Sequence, residues 1–175
     1  TNFFDVIEFA KLVINTLDSV ESEQMYSVVG FATEVTRRTL LLPPDVAIQA
    51  LDGLEYSGGR TNHADAITAC QGSLTTLSAE GRTSLMILIT DDDPSEPRNS
   101  VEGSAQVIAE EAAAQAKEDG VFIIPVMIAP QSSTLSPELE YLHGISSDGQ
   151  VFDVSDFDVL DSLQESLLDQ ISCQI

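Results

Sequence analysis

Basic residues are scarce. Seven Lys plus Arg stand against 29 Asp plus Glu in 175 residues, a formal net charge of −22. A surface of that sign repels phosphate backbones, which argues against nucleic acid as a partner, and it disfavours anionic membrane surfaces. Divalent cations, basic partners and salty surroundings are all compatible with it, and so is a charge that serves solubility alone. No apolar run approaches the ~18 to 20 residues that a membrane span needs, so no membrane insertion is expected. The opening Thr1-Asn2-Phe3-Phe4-Asp5 lacks the basic region, apolar stretch and cleavage site of a signal peptide. Histidine is limited to His63 and His143, and no Gly-x-Ser-x-Gly elbow occurs, which leaves a Ser–His–Asp hydrolase without its parts. His63 at a helix start and His143 at a helix end are both expected in solvent. Two cysteines do not make a disulfide scaffold. Cys70 recurs with Ile67, Leu74 and Leu77 at helical spacing and reads as a small buried group, while Cys173 reads either as a bridge partner or as a second free thiol.

What is present is one domain's worth of chain, 43% hydrophobic, without repeats or a linker. Phe3, Ile7, Ala10, Ile14 and Leu17 step by three and four after a candidate N-cap, Asn2, and predict an amphipathic helix. Met25 to Phe31 reads as a strand, Thr36 to Leu42 as its hairpin partner, and Asp45 to Leu51 as a short helix after Pro43-Pro44. A second long helix is expected over Asn62 to Leu77. Leu85-Met86-Ile87-Leu88-Ile89 has no polar interruption, the pattern of a parallel strand covered on both faces. Ser100 to Asp119 predicts a helix stopped by Gly120. Val121 to Ile128 predicts another buried strand, in which Pro125 calls for a bulge or an amide facing an edge. Pro137 to His143 reads as one or two helical turns, Val151 to Val154 as a last short strand, and Leu160, Leu163, Leu167 and Ile171 as a closing helix. This alternation predicts an α/β fold: a doubly wound, mostly parallel sheet with one antiparallel edge strand and helices on both faces.

Ligands of such sheets bind beyond the carboxyl ends of the strands. Two segments arrive there with suitable chemistry. Gly58-Gly59-Arg60-Thr61-Asn62 sets a hydroxyl at a helix start, and Leu88-Ile89-Thr90 runs into the consecutive carboxylates Asp91, Asp92 and Asp93. Adjacent anions repel unless they are well solvated or share a cation, and Mg²⁺ and Ca²⁺ take oxygen ligands of these kinds. Thr61 and Asp91 are therefore candidate metal ligands, with Asp92 and Asp93 as accessory acids. The alternative is that Thr61 caps the helix and the aspartates form a solvated turn before Pro94.

The same segments resemble those of von Willebrand factor A-type domains. Gly58 to Ile67 is similar to that family's glycine-glycine-x-threonine segment, and Leu85 to Asp91 to its apolar strand ending in threonine-aspartate. Asn2-Phe3 is similar to its first helix start, Ser27 to Ala32 to its second strand, and Glu138 to Val154 with a late cysteine to its closing segment. The resemblance implies a binding or adhesion module rather than an enzyme, with a metal-ion-dependent adhesion site holding Mg²⁺ or Mn²⁺. Thr61 would be its second-loop threonine and Asp91 its third-loop aspartate. An acidic side chain from a protein ligand, in the extracellular matrix or on another subunit, would fill the open coordination position. An extracellular or cell-surface location follows by the same analogy.

Two departures stand out. The family's first metal loop, aspartate-x-serine-x-serine, and the central strand before it have no counterpart here, so residues 1–175 are expected to be an N-terminally incomplete domain. The strand is expected from upstream in the same polypeptide or, by strand addition, from another chain. Buried backbone groups left without it would cost ~1 to 3 kcal/mol each, against a typical domain stability of ~5 to 15 kcal/mol. The family's habit of linking a late cysteine to one just before the first strand makes Cys173 the disulfide candidate. In the second departure, Asp92 and Asp93 replace the usual glycine after the third-loop aspartate, which adds negative charge opposing an acidic ligand. Two other functions remain: a metal-independent structural subunit of an extracellular fibre or matrix, and a Mg²⁺-dependent phosphatase-like enzyme built on Asp91-x-Asp93. The latter has only Lys117 as a downstream lysine.

Overall fold

The apolar stripe near the start of the chain forms helix α1 (Phe3–Val20). In chain order there follow β1 (Val29–Phe31), β2 (Val35–Arg38), α2 (Pro44–Asp52), α3 (His63–Leu77), β3 (Ser84–Thr90), α4 (Ala105–Glu118), β4 (Val121–Met127), α5 (Pro137–Ile145) and β5 (Phe152–Asp153). The computed structural model describes residues 3–20, 24–77, 83–91, 94–96, 104–128 and 137–153. Asn2, Asp92, Asp93, Cys173 and the expected closing helix at Leu160 to Ile171 lie outside those residues.

β3, β4 and β5 form a parallel sheet in that order, with Ser84 to Thr90 registered against Val121 to Met127 without a break. β1 and β2 form a separate antiparallel pair. Alternation along the strands sorts the core into two layers. Met86, Leu88, Ile123 and Met127 pack with α3, α4 and α5 on one face. Ile124, Val126 and Ile128 pack against Phe9 and Val13 of α1 on the other. A second stripe of α1, Ile7 and Ile14, meets α2 and Val28. Helices on both faces explain why β3 and β4 are apolar throughout.

Pro125 sits in regular register opposite Leu88, with no bulge. The Ile128 amide donates to Thr90 O at 2.7 Å, while the Ile123 amide donates to Ser147 Oγ at 2.8 Å. Even-numbered residues of β4 therefore address β3, and odd-numbered ones address the β5 side. The donor that Pro125 lacks is one β3 never needed. The expected first strand over Met25 to Phe31 is shorter, because side chains displace ladder bonds near its start. Thr39 Oγ1 accepts from the Val28 amide at 2.8 Å, and Ser27 Oγ donates to Thr39 O at 2.8 Å. Upstream, among the described residues, only Tyr26 pairs, with Leu42. Gly120 ends α4 with φ +82°, its amide donating to Lys117 O at 3.0 Å.

Between the two sheets lies a cavity of about 740 Å³, lined by β1, β3, α1 and α3. Thr61 and Asp91, at the carboxyl ends of the strands, are among its lining residues.

Candidate functional site

The loop before α3 turns on two glycines with positive φ, Gly58 at +61° and Gly59 at +103°. Gly59 has no room for a side chain, since a Cβ would come 2.6 Å from Thr33 Oγ1. That hydroxyl accepts from the Arg60 amide at 3.0 Å and pins the turn to the end of the β1–β2 unit. The helix cap belongs to the next residue. Asn62 Oδ1 accepts from the Asp65 amide at 3.1 Å, and Asn62 Nδ2 donates to Asp65 Oδ2 at 2.8 Å and to Thr33 O at 3.1 Å. This is a reciprocal N-cap, and it removes the alternative in which Thr61 caps the helix. The half-buried Thr61 keeps its hydroxyl without a protein partner among the described residues.

The backbone of Thr61 is stitched to the loop that follows β3. Its amide donates to Ser95 Oγ at 3.2 Å, and its carbonyl accepts from the amides of Ser95 at 2.8 Å and Glu96 at 3.2 Å. Arg60 Nε reaches Glu96 Oε1 at 3.4 Å across the same seam. β3 ends at Thr90, so the exposed Asp91 leaves the sheet at this rim. The two sequence-predicted ligands both line the cavity.

His63 corrects an expectation. It does begin α3, but it is fully buried rather than solvated. Nε2 lies 2.9 Å from Thr90 Oγ1 and Nδ1 lies 3.1 Å from Tyr141 Oη. The ring stacks on Tyr141 at 5.8 Å and meets the edge of Phe31 at 5.8 Å. Nothing in the local sequence marks it, because its partners stand 27 and 78 positions away. His143 is exposed as expected, with Nδ1 2.7 Å from Gly149 O.

Thr61 and Asp91 are hard oxygen donors suited to Mg²⁺, Mn²⁺ or Ca²⁺. Two donors fall well short of the ~6 ligands such ions take, so water or other segments would supply the rest. Among the described residues no group of three or more His, Cys, Asp and Glu side chains is placed to hold a metal ion. Cys70 lines the cavity from α3 as a free thiol, and burial pushes its pKa up to about 11, with Arg38 opposing weakly.

The family model for the von Willebrand factor type A domain matches residues 1–166. The chain belongs to that family. Its fold is shared with solved structures of low identity. The pilus adhesin SpaC from Lactobacillus rhamnosus GG superposes with a TM-score of 0.76 at 13% identity, over 97% of this chain and 28% of that one. The PilB minor pilin from Streptococcus sanguinis gives 0.74 at 14% identity, over 98% of this chain and 54% of that one. A conserved hypothetical protein, BatB from Bacteroides thetaiotaomicron, gives 0.66 at 18% identity, over 95% and 88%. The von Willebrand-type chain thus spans under a third of the adhesin and about half of the pilin. Among curated proteins, none matches its sequence.

Proposed function

We propose that this von Willebrand factor type A domain is a non-enzymatic protein-binding module for adhesion at or outside the cell surface. It works through a divalent cation, Mg²⁺ with Mn²⁺ or Ca²⁺ as alternatives, held by Thr61 and Asp91. The observation that carries the reading is the Thr61 hydroxyl, which no described residue engages although its backbone is tied on both sides to the loop beyond Asp91. A hydroxyl not used for capping, on a loop tied to the one that follows Asp91, is available as a hard oxygen ligand. A cation there leaves a coordination position for a carboxylate of the protein partner. The likeness to a pilus adhesin and a minor pilin supports the adhesive role and the surface location.

Two observations weigh against enzymatic readings. Lys117 Nζ, the lysine a phosphatase would need, donates to Gly144 O at 3.2 Å and Ser146 O at 3.3 Å. It serves the carboxyl end of α5, where a cation complements the helix dipole. His63 has its two ring nitrogens at Tyr141 Oη and Thr90 Oγ1 and its ring edge-on to Phe31, buried in the core.

Calorimetric titration of the intact polypeptide with Mg²⁺, Mn²⁺ and Ca²⁺ tests the reading. Saturable binding is expected, lost in Asp91→Ala and weakened in Thr61→Ala. A wild-type protein that takes up none of the three ions, yet still assembles with its partner, would instead be a metal-independent structural subunit.

A further inference from the structure

Two aromatic side chains stand in solvent beside the rim. Phe4 on α1 is 74% exposed, and Tyr56, in the loop between α2 and α3, is 76% exposed, the largest exposures among the described large hydrophobic side chains. Single exposed apolar residues are ordinary, but these two are joined. The half-buried ring of Phe3 lies 6.3 Å from Phe4, edge to face, and 5.7 Å from Tyr56, tilted by 55°. The three rings form one continuous surface, at spacings typical of aromatic contact. It abuts the rim loop, since a Cβ at Gly58 would lie 3.9 Å from Cε1 of Tyr56.

Carboxylates border this surface. Phe4, Glu8 and Lys11 follow at i, i+4 and i+7 along one face of α1. Lys11 Nζ pairs with Glu8 and with Asp52 at the end of α2. The Lys11 side chain is only 19% exposed, against 71% for Glu8 and 57% for Asp52, so this strip shows solvent its acids rather than its base. Glu55, the neighbour of Tyr56, is exposed too and has no ion-pair partner among the described residues.

The negative face of an aromatic ring and a carboxylate beside it attract the same ligand, an organic cation. The charge also removes other occupants of an aromatic surface. Nucleic-acid strands and anionic lipid surfaces are repelled, and a second copy brings the same acids and the same net charge of −22.

We propose that Phe3, Phe4 and Tyr56, with Glu8, Asp52 and Glu55, form a docking surface for an arginine of a basic protein partner. The guanidinium lies flat on an exposed ring while its N–H groups reach the carboxylates, a double contact that a lysine ammonium cannot make with the same geometry. The surface acts beside the rim and needs no cation there.

Titration of the intact polypeptide with a blocked Gly-Ser-Arg-Ser-Gly peptide tests this, in chelator and at low salt. The ring-proton shifts of Phe4 and Tyr56 are read by NMR. Saturable shifts are expected, weakening as salt is added. Phe4→Ala and Tyr56→Ala should each weaken binding about fivefold or more, while Tyr56→Phe, which keeps the ring, should leave it nearly unchanged. Both side chains are exposed, so the variants should melt as the wild type does. Lysine in place of the peptide's arginine should bind severalfold more weakly, and leucine not at all. The proposal is overturned if no saturable shift occurs, or if the two alanine variants bind as the wild type does, which leaves only general charge attraction. It is also overturned if the lysine or leucine peptide binds as well as the arginine one. Shifts that grow with protein concentration in the absence of peptide would overturn it too, by making a second copy the occupant. With chelator present, failure here leaves the cation reading of the rim standing, and failure of that reading leaves this surface standing.

Discussion

His63 Nε2 and Thr90 Oγ1 meet at 2.9 Å inside the core, joining the first residue of α3 to the residue before Asp91. The two rim loops are therefore held in register from below by this buried contact and from above by the seam between Thr61 and Ser95-Glu96. His63→Ala removes a hydrogen-bonding partner from Thr90 and Tyr141 and leaves a void. It is expected to destabilise by about 3 kcal/mol in urea melts. Tyr141→Phe, which keeps the stacked ring, should cost about 1 kcal/mol.

Gly59 and Gly120 separate conformational from steric strain. Both have positive φ, but a Cβ at Gly120 meets nothing within 4 Å, whereas at Gly59 it strikes Thr33. Gly120→Ala should cost only the left-handed backbone penalty, about 1 kcal/mol. Gly59→Ala should cost about 2 kcal/mol or more and, if the rim binds cations, weaken that binding as the loop shifts. Equal costs in denaturant melts would show that the loop absorbs the clash.

Asn62 holds two jobs at once, capping α3 and tying it to Thr33. Asn62→Ala should lose about 1 to 2 kcal/mol. Asn62→Asp keeps the acceptor for the Asp65 amide but replaces the donor to Thr33 and Asp65 with a like charge beside Asp65, so it should rescue little. Full rescue by aspartate would mean that the cap alone matters.

Cys70 gives a pH signature. Its folded pKa, raised from 9.0 to about 11, means that the neutral thiol is favoured in the native state. Below pH 9 the thiol is protonated both folded and unfolded, and its contribution is fully present. As pH rises from 9 through 11 the unfolded state ionises first, and about 2 to 3 kcal/mol is lost. Cys70→Ala should flatten that part of the stability profile relative to wild type. Parallel profiles would place the thiol in solvent.

A cation that binds only the folded protein must raise the melting temperature with its concentration. In the intact polypeptide Mn²⁺ or Mg²⁺ should do so, and the increment should vanish in Asp91→Ala. An increment that survives the substitution would move the ion to another part of this acidic surface.

Much of this was legible in the residues because periodicity reports burial. The helical steps of α1 and the unbroken apolar runs of β3 and β4 each found a partner on the face they implied. The rim was legible too, since Gly58-Gly59 and Thr90-Asp91 carry turn and strand-end signals in a few adjacent letters. His63 was not: a polar residue after Thr61-Asn62 at a helix start looks solvated, and only the fold reveals the distant hydroxyls that accommodate it. The shortened β1 was hidden for a related reason, as Thr39 competes for ladder bonds through a side chain that β propensity does not register.

The placement of Pro125 has a mechanical consequence. Because its ring faces the β5 side, that seam begins only at Val126 with Phe152, and two residue pairs, Val126 with Phe152 and Met127 with Asp153, make up all of it among the described residues. The seven-pair seam with β3 is untouched by the ring. Among the described residues, tension drawn through β5 would therefore load this two-pair seam before the seven-pair seam that holds β3 and, with it, the rim.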